Sequence, residues 1–209
     1  MIATTPNTLL GALAPVASWP RALRVVALMV AGSLFVALSA QVQVPLWPVP
    51  ITGQTFAVLV VGMAYGARLG AGTMALYAAE GAVGLPVFAK FSSGAAVLAG
   101  PTGGYILGFV VAAFVVGWLA ERGWSRTPVL TAGAMAIGNL AIWVPGVLWL
   151  ANYFGGLDPA VITKMGAETA LGAALAKGLY PFLLGDALKL ALAAGLFPLA
   201  WRLVERVKR

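Results

Sequence analysis

Asp186 and Lys189 are the residues that most need a chemical explanation, because they interrupt the apolar segment LLGDALKLALAAGLF. Their spacing of three places both side chains on one face of a helix, where they can reach a common cavity. A charged side chain at the centre of a bilayer costs about 3 kcal/mol or more. One interpretation is an ion pair that only fixes helix packing, although such a pair roughly breaks even against apolar residues. The other is a ligand pocket in which the lysine binds an anionic group and the aspartate accepts N–H donors.

The segment GPTGGY is a second candidate site, since it combines three glycines with a proline and an aromatic residue. Glycine permits a close backbone approach, and irregular backbone at membrane depth is tolerated only where it is buried or lines a cavity. Gly103, Gly104 and Tyr105 are therefore candidate ligand contacts. The alternative is an ordinary helix start, with Pro101 near the first helical position and Thr102 as the cap.

Four further residues carry weaker signals. Gln54 follows a proline-rich turn, where it either hydrogen-bonds into a pocket or simply begins a helix. Ala27 and Ala31 form a small-xxx-small pair of the kind that lets membrane helices approach closely, although alanine is abundant enough here to supply such pairs by chance. Glu80 is a lone carboxylate near a predicted helix end, and we interpret it as interfacial rather than catalytic.

The composition places these residues in a membrane protein. Of the 209 residues, 61% are hydrophobic and 9% are charged, whereas a soluble domain is about one quarter charged. Residues 25–67, 91–120 and 127–157 contain no charged side chain, and each run exceeds the roughly 20 residues that cross a bilayer core. The runs are continuous rather than alternating, which favours helices over a barrel. The sequence therefore predicts an all-α integral membrane protein, with residues 1–209 forming a single membrane domain.

Several function classes are disfavoured by what the sequence lacks. It has no cysteine and no histidine, which argues against thiol chemistry, the commonest metal ligand and the usual proton shuttle. No serine has an obvious base beside it, so an intramembrane enzyme is disfavoured. The phosphate-binding motif G-x-x-x-x-G-K-[ST] is missing, so any ATP is hydrolysed elsewhere. No cofactor, metal or nucleic-acid partner is predicted, and a purely structural subunit would leave the intramembrane charge pair unexplained.

Prolines and glycines divide the apolar runs into six predicted helices. Pro45, Pro48 and Pro50 exclude a helix from their segment, and a Gly/Pro-rich connector, GLPVFAKFSSGAAVLAGPTGG, separates the third and fourth helices. Residues 1–21 lack the basic start of a signal peptide and are expected to be a retained, interfacial segment. The six-helix unit spans residues 22–204. Its transmembrane helices are expected at 22–42, 54–67, 70–84, 102–120, 128–152 and 173–204, the last bent around Pro181.

Four motifs, taken in this order along the chain, resemble one known family. VPLWPVPITGQTFAVLVVG, GLPVF, GPTGGYILGF and PFLLGDALK are similar to segments of BioY proteins, the biotin-specific S components of energy-coupling-factor (ECF) transporters. The resemblance covers residues 25–200. It implies a six-helix substrate-capture subunit in a bacterial cell membrane, with biotin held near the extracellular side. It also implies three partner subunits, namely a transmembrane coupling protein and two ATPases.

The resemblance also implies roles for particular residues. Lys189 suits the biotin carboxylate and Asp186 suits the ureido N–H groups, with the lysine facing the ureido oxygen as the alternative. Tyr105 and Trp143 are expected to cover the rings. An S component for another vitamin and a self-sufficient carrier remain alternatives to this function.

Two positions depart from some members of the family. Where those relatives carry an asparagine in the connector and an arginine after the tyrosine, this chain has Ser92 and Ile106, and Lys90 is a candidate substitute. In S components, small residues of the first helix contact the coupling protein, and this role maps onto Ala27 and Ala31.

The distribution of basic residues predicts the topology. Six spans put both termini and two loops on one side, which then carries nine lysines and arginines against two on the other. Such an excess marks the cytoplasmic side. The nine are Arg21, Arg24, Arg68, Arg122, Arg126, Arg202, Arg206, Lys208 and Arg209, and the two are Lys90 and Lys164.

We therefore expect both termini to be cytoplasmic. A reporter that functions only in the cytoplasm should be active when fused after Arg209, since an even number of spans returns the chain to the side on which it began. A second fusion, to a reporter that functions only outside the membrane, serves as the control. Activity of the second fusion would contradict the six-span topology.

Overall fold

The computed structural model describes residues 8–13 and 20–207, so most of the predicted N-terminal segment 1–21 lies outside the described residues. The described chain is largely helical and includes one two-stranded sheet. The helices are α1 Leu9–Leu13, α2 Arg21–Gln41, α3 Gln54–Tyr65, α4 Ala67–Ala82, α5 Ala95–Ala99, α6 Gly103–Glu121, α7 Pro128–Gly155, α8 Pro159–Lys164, α9 Ala170–Gly178 and α10 Tyr180–Val207; the strands are β1 Gln43–Val44 and β2 Ile51–Thr52; and a single 3₁₀ turn covers Ala89–Phe91.

Every predicted span coincides with a helix, but two boundaries differ instructively. The third begins at Ala67 instead of 70, because Gly66 alone, at a φ of 87°, makes the turn from α3. The last is interrupted at Leu179 (φ −126°, ψ −60°), two residues before Pro181. Proline removes a backbone donor and disfavours helical geometry in the residue before it. The bend expected at this proline is therefore present, as a break between α9 and α10.

Helix length alone identifies fewer candidate spans than the six that the sequence predicts. Within the described ranges, four segments are long and apolar enough to cross a bilayer, namely α2, α6, α7 and Ala170–Arg206. Helix α3 has 12 residues and α4 has 16, which correspond to about 18 and 24 Å against a hydrocarbon core of about 30 Å. The structure thus gives a helical membrane protein, and the six-span count stays a prediction.

The proline-rich segment folds as a short hairpin. Strands β1 and β2 pair antiparallel, with Gln43 opposite Thr52 and Val44 opposite Ile51. Its prolines lie in the connecting loop, where no ladder hydrogen bond needs the N–H group that they lack. The hairpin follows the end of α2 and leads directly into α3.

The Gly/Pro-rich connector contains two short helical elements, the 3₁₀ turn and α5. Lys90 and Phe91 have φ angles of 59° and 54°, a region that residues other than glycine seldom occupy. The sequence predicted an irregular connector but contained no signal for this left-handed pair.

Helix α6 lies at the centre of the bundle and packs against α3, α4 and α7. Glycines allow its backbone to approach its neighbours closely. A Cβ atom on Gly117 would lie 2.4 Å from the backbone nitrogen of Ala67, and one on Gly108 would lie 3.0 Å from the Cα of Ile142. Lipid gives no hydrophobic drive for helix association, so contacts of this kind carry much of the stability.

We expect Gly117→Ala to lower the thermal unfolding midpoint in detergent, because the added methyl group meets the backbone of α4. Overpacking of this kind costs about 1–3 kcal/mol. Gly195→Ala in α10 is the matched control, since nothing lies within 4 Å of its Cβ position and alanine is the better helix former. Tryptophan fluorescence reports both midpoints, and an equal midpoint in the two variants would contradict the packing described here.

Candidate ligand-binding site

A cavity of about 640 Å³ lies where α2 ends and α3 begins. Its walls come from the hairpin loop, the connector after α4, and the first turns of α3 and α6, together with parts of α7 and α10. The volume falls within the range of about 300–1,000 Å³ that is usual for small-molecule sites. Aromatic side chains form much of the lining, namely Trp47, Phe88, Tyr105, Phe109, Trp143 and Phe182.

Asp186 and Lys189 lie directly behind one wall of this cavity. The carboxylate is 1% exposed, and its Oδ1 accepts a hydrogen bond from Lys189 Nζ at 2.8 Å. Thr55 Oγ1 donates to the same oxygen at 2.9 Å, and Trp143 Nε1 donates to Oδ2 at 3.2 Å. The buried charge is therefore compensated by a cation and two neutral donors, as a buried carboxylate requires.

The ammonium group of Lys189 is fully used within the protein. Besides Asp186, it donates to the carbonyl of Thr52 and to Thr55 Oγ1, each at 2.8 Å. An ammonium group has three protons, so a ligand can bind this lysine only by displacing one of these acceptors. Thr52, Thr55 and Trp143 line the cavity, whereas the charged pair does not.

Two of these residues, Thr52 and Thr55, were not singled out from the sequence. Their hydroxyl groups flank Gln54 in the segment ITGQT, which was the available signal. They connect α10 to the start of α3, because Lys189 bonds to the carbonyl of Thr52 and to the hydroxyl of Thr55, and Asp186 accepts from the same Thr55 hydroxyl. The partners lie more than 130 positions apart in the chain, and no local sequence pattern indicates that they pair.

Gln54 and Tyr105 line the cavity, and both side chains also bond within the protein. Gln54 Nε2 donates to the hydroxyl of Tyr77 at 2.7 Å, and Gln54 Oε1 accepts from Thr52 Oγ1 at 3.1 Å. The Tyr105 hydroxyl donates to the carbonyl of Gly178 at 2.8 Å, which leaves its ring as the group facing a ligand. Two of the three glycines of the GPTGGY motif, Gly103 and Gly104, lie elsewhere.

Gly103 and Gly104 are buried and do not line the cavity. A Cβ on Gly104 would lie 2.2 Å from that of Trp149 in α7, and one on Gly103 would lie 1.8 Å from the carbonyl oxygen of Leu98. Close packing therefore accounts for both glycines. The preceding residues of the motif, Gly100, Pro101 and Thr102, face the cavity instead.

Lys90 is the one charged side chain among the described residues that line the cavity. It is exposed, which places it at the rim, and the described part of the chain offers its ammonium group no hydrogen-bond or ion-pair partner. Ser92 lines the cavity too, and its hydroxyl donates to the carbonyl of Ala89 at 2.7 Å. The rim thus presents a cation that is available to an anionic ligand.

Ala27, Ala31 and Glu80 lie away from the cavity. Ala31 is exposed and Ala27 is half-buried, on the lipid-facing side of α2. Glu80 in α4 is half-buried and accepts a hydrogen bond from the hydroxyl of Ser33 in α2. The carboxylate therefore takes part in the packing of two helices.

We expect Thr55→Val to lower the thermal unfolding midpoint, because it removes one of the three donors to the buried carboxylate and one of the three acceptors of the lysine. An unsatisfied buried group costs about 1–3 kcal/mol. Thr102→Val is the matched control, since that hydroxyl makes only a 3.4 Å contact with the carbonyl of Val97. Differential scanning fluorimetry compares the two, and equal shifts would contradict a central role for Thr55.

Comparison with known proteins places the chain in a family. The family model described as the BioY family matches residues 10–206. The chain is 37% identical to the biotin transporter BioY of Thermotoga maritima over 169 residues, which cover 79% of this chain and 90% of that protein. It is 32% identical over 167 residues to the biotin transporter BioY2 of Lactococcus lactis subsp. cremoris, with coverages of 79% and 90%.

The fold is similar to a solved structure, the crystal structure of the S-component for biotin from an ECF-type ABC transporter. The TM-score is 0.67 and the identity is 19%, over 92% of this chain and 95% of the other. The family model and the relatives of more than 30% identity each cover most of the sequence. The chain therefore belongs to the BioY family.

Proposed function

We propose that this chain is the biotin-binding S component of an ECF-type uptake transporter. Family membership and the names of its relatives support biotin as the substrate. The observation that carries the proposal is the cavity itself, which combines an aromatic lining with a free cation at the rim and polar groups along one wall. Biotin has a matching set of groups, namely an apolar bicycle and tail, a carboxylate and a ureido ring.

The arrangement of charges favours one orientation of biotin. Its carboxylate pairs with Lys90, beside Ser92, since the other lysine near the cavity, Lys189, already has three acceptors. Its ureido group faces the wall that carries Gln54 and Thr55, where the Gln54 amide has a second N–H to donate and the Thr55 hydroxyl, whose proton bonds to Asp186, can accept. The rings of Tyr105, Trp143 and their aromatic neighbours cover the bicycle.

In this orientation Asp186 and Lys189 do not contact the ligand and affect its binding only through the residues of the cavity wall. They hold Thr52, Thr55 and Trp143 by hydrogen bonds, and so fix the polar groups that meet the ureido ring. Preorganised groups of this kind raise affinity because little conformational entropy is lost on binding. The pair is proposed to support the site rather than to contact the carboxylate.

The proposal includes the transporter partners and the topology. Six spans in the plasma membrane of a bacterial cell, with cytoplasmic termini, agree with the excess of basic residues on one side. Energised uptake is proposed to depend on a transmembrane coupling subunit and two ATPase subunits, a proposal that rests on the similarity to the S-component of an ECF-type transporter. Ala27 and Ala31, on the lipid-facing side of α2, are proposed to contact the coupling subunit.

Biotin binding is tested by titration calorimetry of the detergent-solubilised chain, with mass spectrometry of any co-purifying small molecule. We expect Lys90→Met to weaken binding about tenfold, equivalent to 1.4 kcal/mol, and the loss to shrink at high salt because the cation is exposed. Lys164→Met, which alters an exposed lysine outside the cavity, should bind as the wild type does. A wild-type protein that ignores biotin but co-purifies with another compound would overturn the assignment.

A further inference from the structure

We propose that Gln41 is a positioning residue for ligand binding. It holds the turn at Phe88–Phe91 so that Lys90 faces the cavity, and in this way it makes the site selective for a ligand that bears a carboxylate. The inference rests on the proposed function, because it assigns the carboxylate of biotin to Lys90. The role of Gln41 follows from three hydrogen bonds and from the unusual backbone of the turn.

Gln41 is the last residue of α2 and is half-buried. Its amide group bridges its own helix and the turn. Nε2 donates to the carbonyl of Ala37 at 3.2 Å and to that of Phe88 at 3.0 Å, while Oε1 accepts from the backbone N–H of Phe91 at 3.2 Å. One side chain thus bonds to both ends of the four-residue turn that carries Lys90.

The turn needs such a support because its backbone is strained. Lys90 and Phe91 both adopt left-handed conformations, which are unfavourable for residues other than glycine and persist only where surrounding contacts enforce them. Packing contributes little here, since the Phe91 side chain is 68% exposed and that of Lys90 is exposed as well. Within the turn, the N–H of Phe88 donates to the carbonyl of Ser92 at 3.1 Å, and the N–H of Ser92 donates to the carbonyl of Ala89 at 3.2 Å. The hydrogen bonds of Gln41 add to these and tie the turn to the end of α2.

The first residue of the turn, Phe88, is anchored independently of Gln41. The Phe88 ring is 2% exposed and fits against Gly81, where a Cβ would lie 2.0 Å from the ring. It packs edge-to-face on Tyr77, whose hydroxyl donates to the carbonyl of Val87 at 3.0 Å. Loss of the Gln41 side chain should therefore leave Phe88 packed in place, and only the Lys90 side chain should lose its fixed orientation.

The test is a double-mutant cycle measured with two probes, biotin and its uncharged carboxamide. Gln41→Met keeps the length of the side chain but removes both its donors and its acceptor. We expect it to weaken biotin binding roughly as much as Lys90→Met does, about tenfold, and to change binding of the carboxamide by less than about twofold. The double variant should bind biotin no more weakly than Lys90→Met alone, because two changes that act through one contact are not additive.

Two further variants keep the experiment decisive. Gln41→Asn retains an amide but is one methylene shorter, so it cannot reach both ends of the turn. It replaces Gln41→Met if that variant fails to fold, and we expect it to weaken binding of biotin and not of the carboxamide. Ser39→Ala is the matched control at the same end of α2, because that hydroxyl bonds only to the carbonyl of Phe35. It should bind both probes as the wild type does.

The possible failures are distinguishable. Equal loss of biotin and carboxamide in the Gln41 variants, or losses that add in the double variant, would show a merely structural role and overturn the inference. Unchanged binding of biotin by the Gln41 variants would overturn it as well, while leaving the proposed function standing. A wild type that binds neither probe would overturn the proposed function and this inference with it.

Discussion

The carboxylate of Asp186 is the group around which the ligand site is assembled. It is buried in an apolar bundle, so its charge must be compensated wherever the helices pack. Its partners come from three helices, with Thr55 in α3, Trp143 in α7 and Lys189 in α10. Removing one partner of a buried pair leaves an uncompensated charge at a cost of about 3–5 kcal/mol. The same hydrogen bonds that satisfy the charge therefore fix the relative positions of the three helices and of the cavity wall.

Close helix packing accounts for where the cavity lies. Along α6, Gly117 brings the backbone of α4 close to that of α6, which leaves no space for a ligand at that level. At the other end of the bundle, the hairpin precedes the short helix α3, and the connector follows α4. Loops cannot pack as tightly as glycine-lined helices, and aromatic side chains such as Trp47 and Phe88 surround the remaining space. This region of the described structure thus combines room, apolar walls and polar groups.

Helix α2 links the two surfaces on which the proposed function relies. Its lipid-facing side carries Ala27 and Ala31, and its last residue, Gln41, bonds to the turn that carries Lys90. Ser33, on the buried side of the same helix, donates to Glu80 in α4. A helix is stiff along its axis, so the position of the turn at the cavity rim depends on the position of α2 as a whole.

The sequence alone determined the membrane class, the helical segments and the family resemblance, because apolar runs, prolines and motifs are local features. The break near Pro181 is an example, since proline acts on its immediate neighbours. Only the tertiary structure decided which groups face the cavity. It brought Thr55 to Asp186, saturated Lys189 with acceptors, and turned Gly103 and Gly104 toward helix packing. These outcomes depend on contacts between segments that are far apart in the chain. The types of the residues alone do not show which distant segments come together.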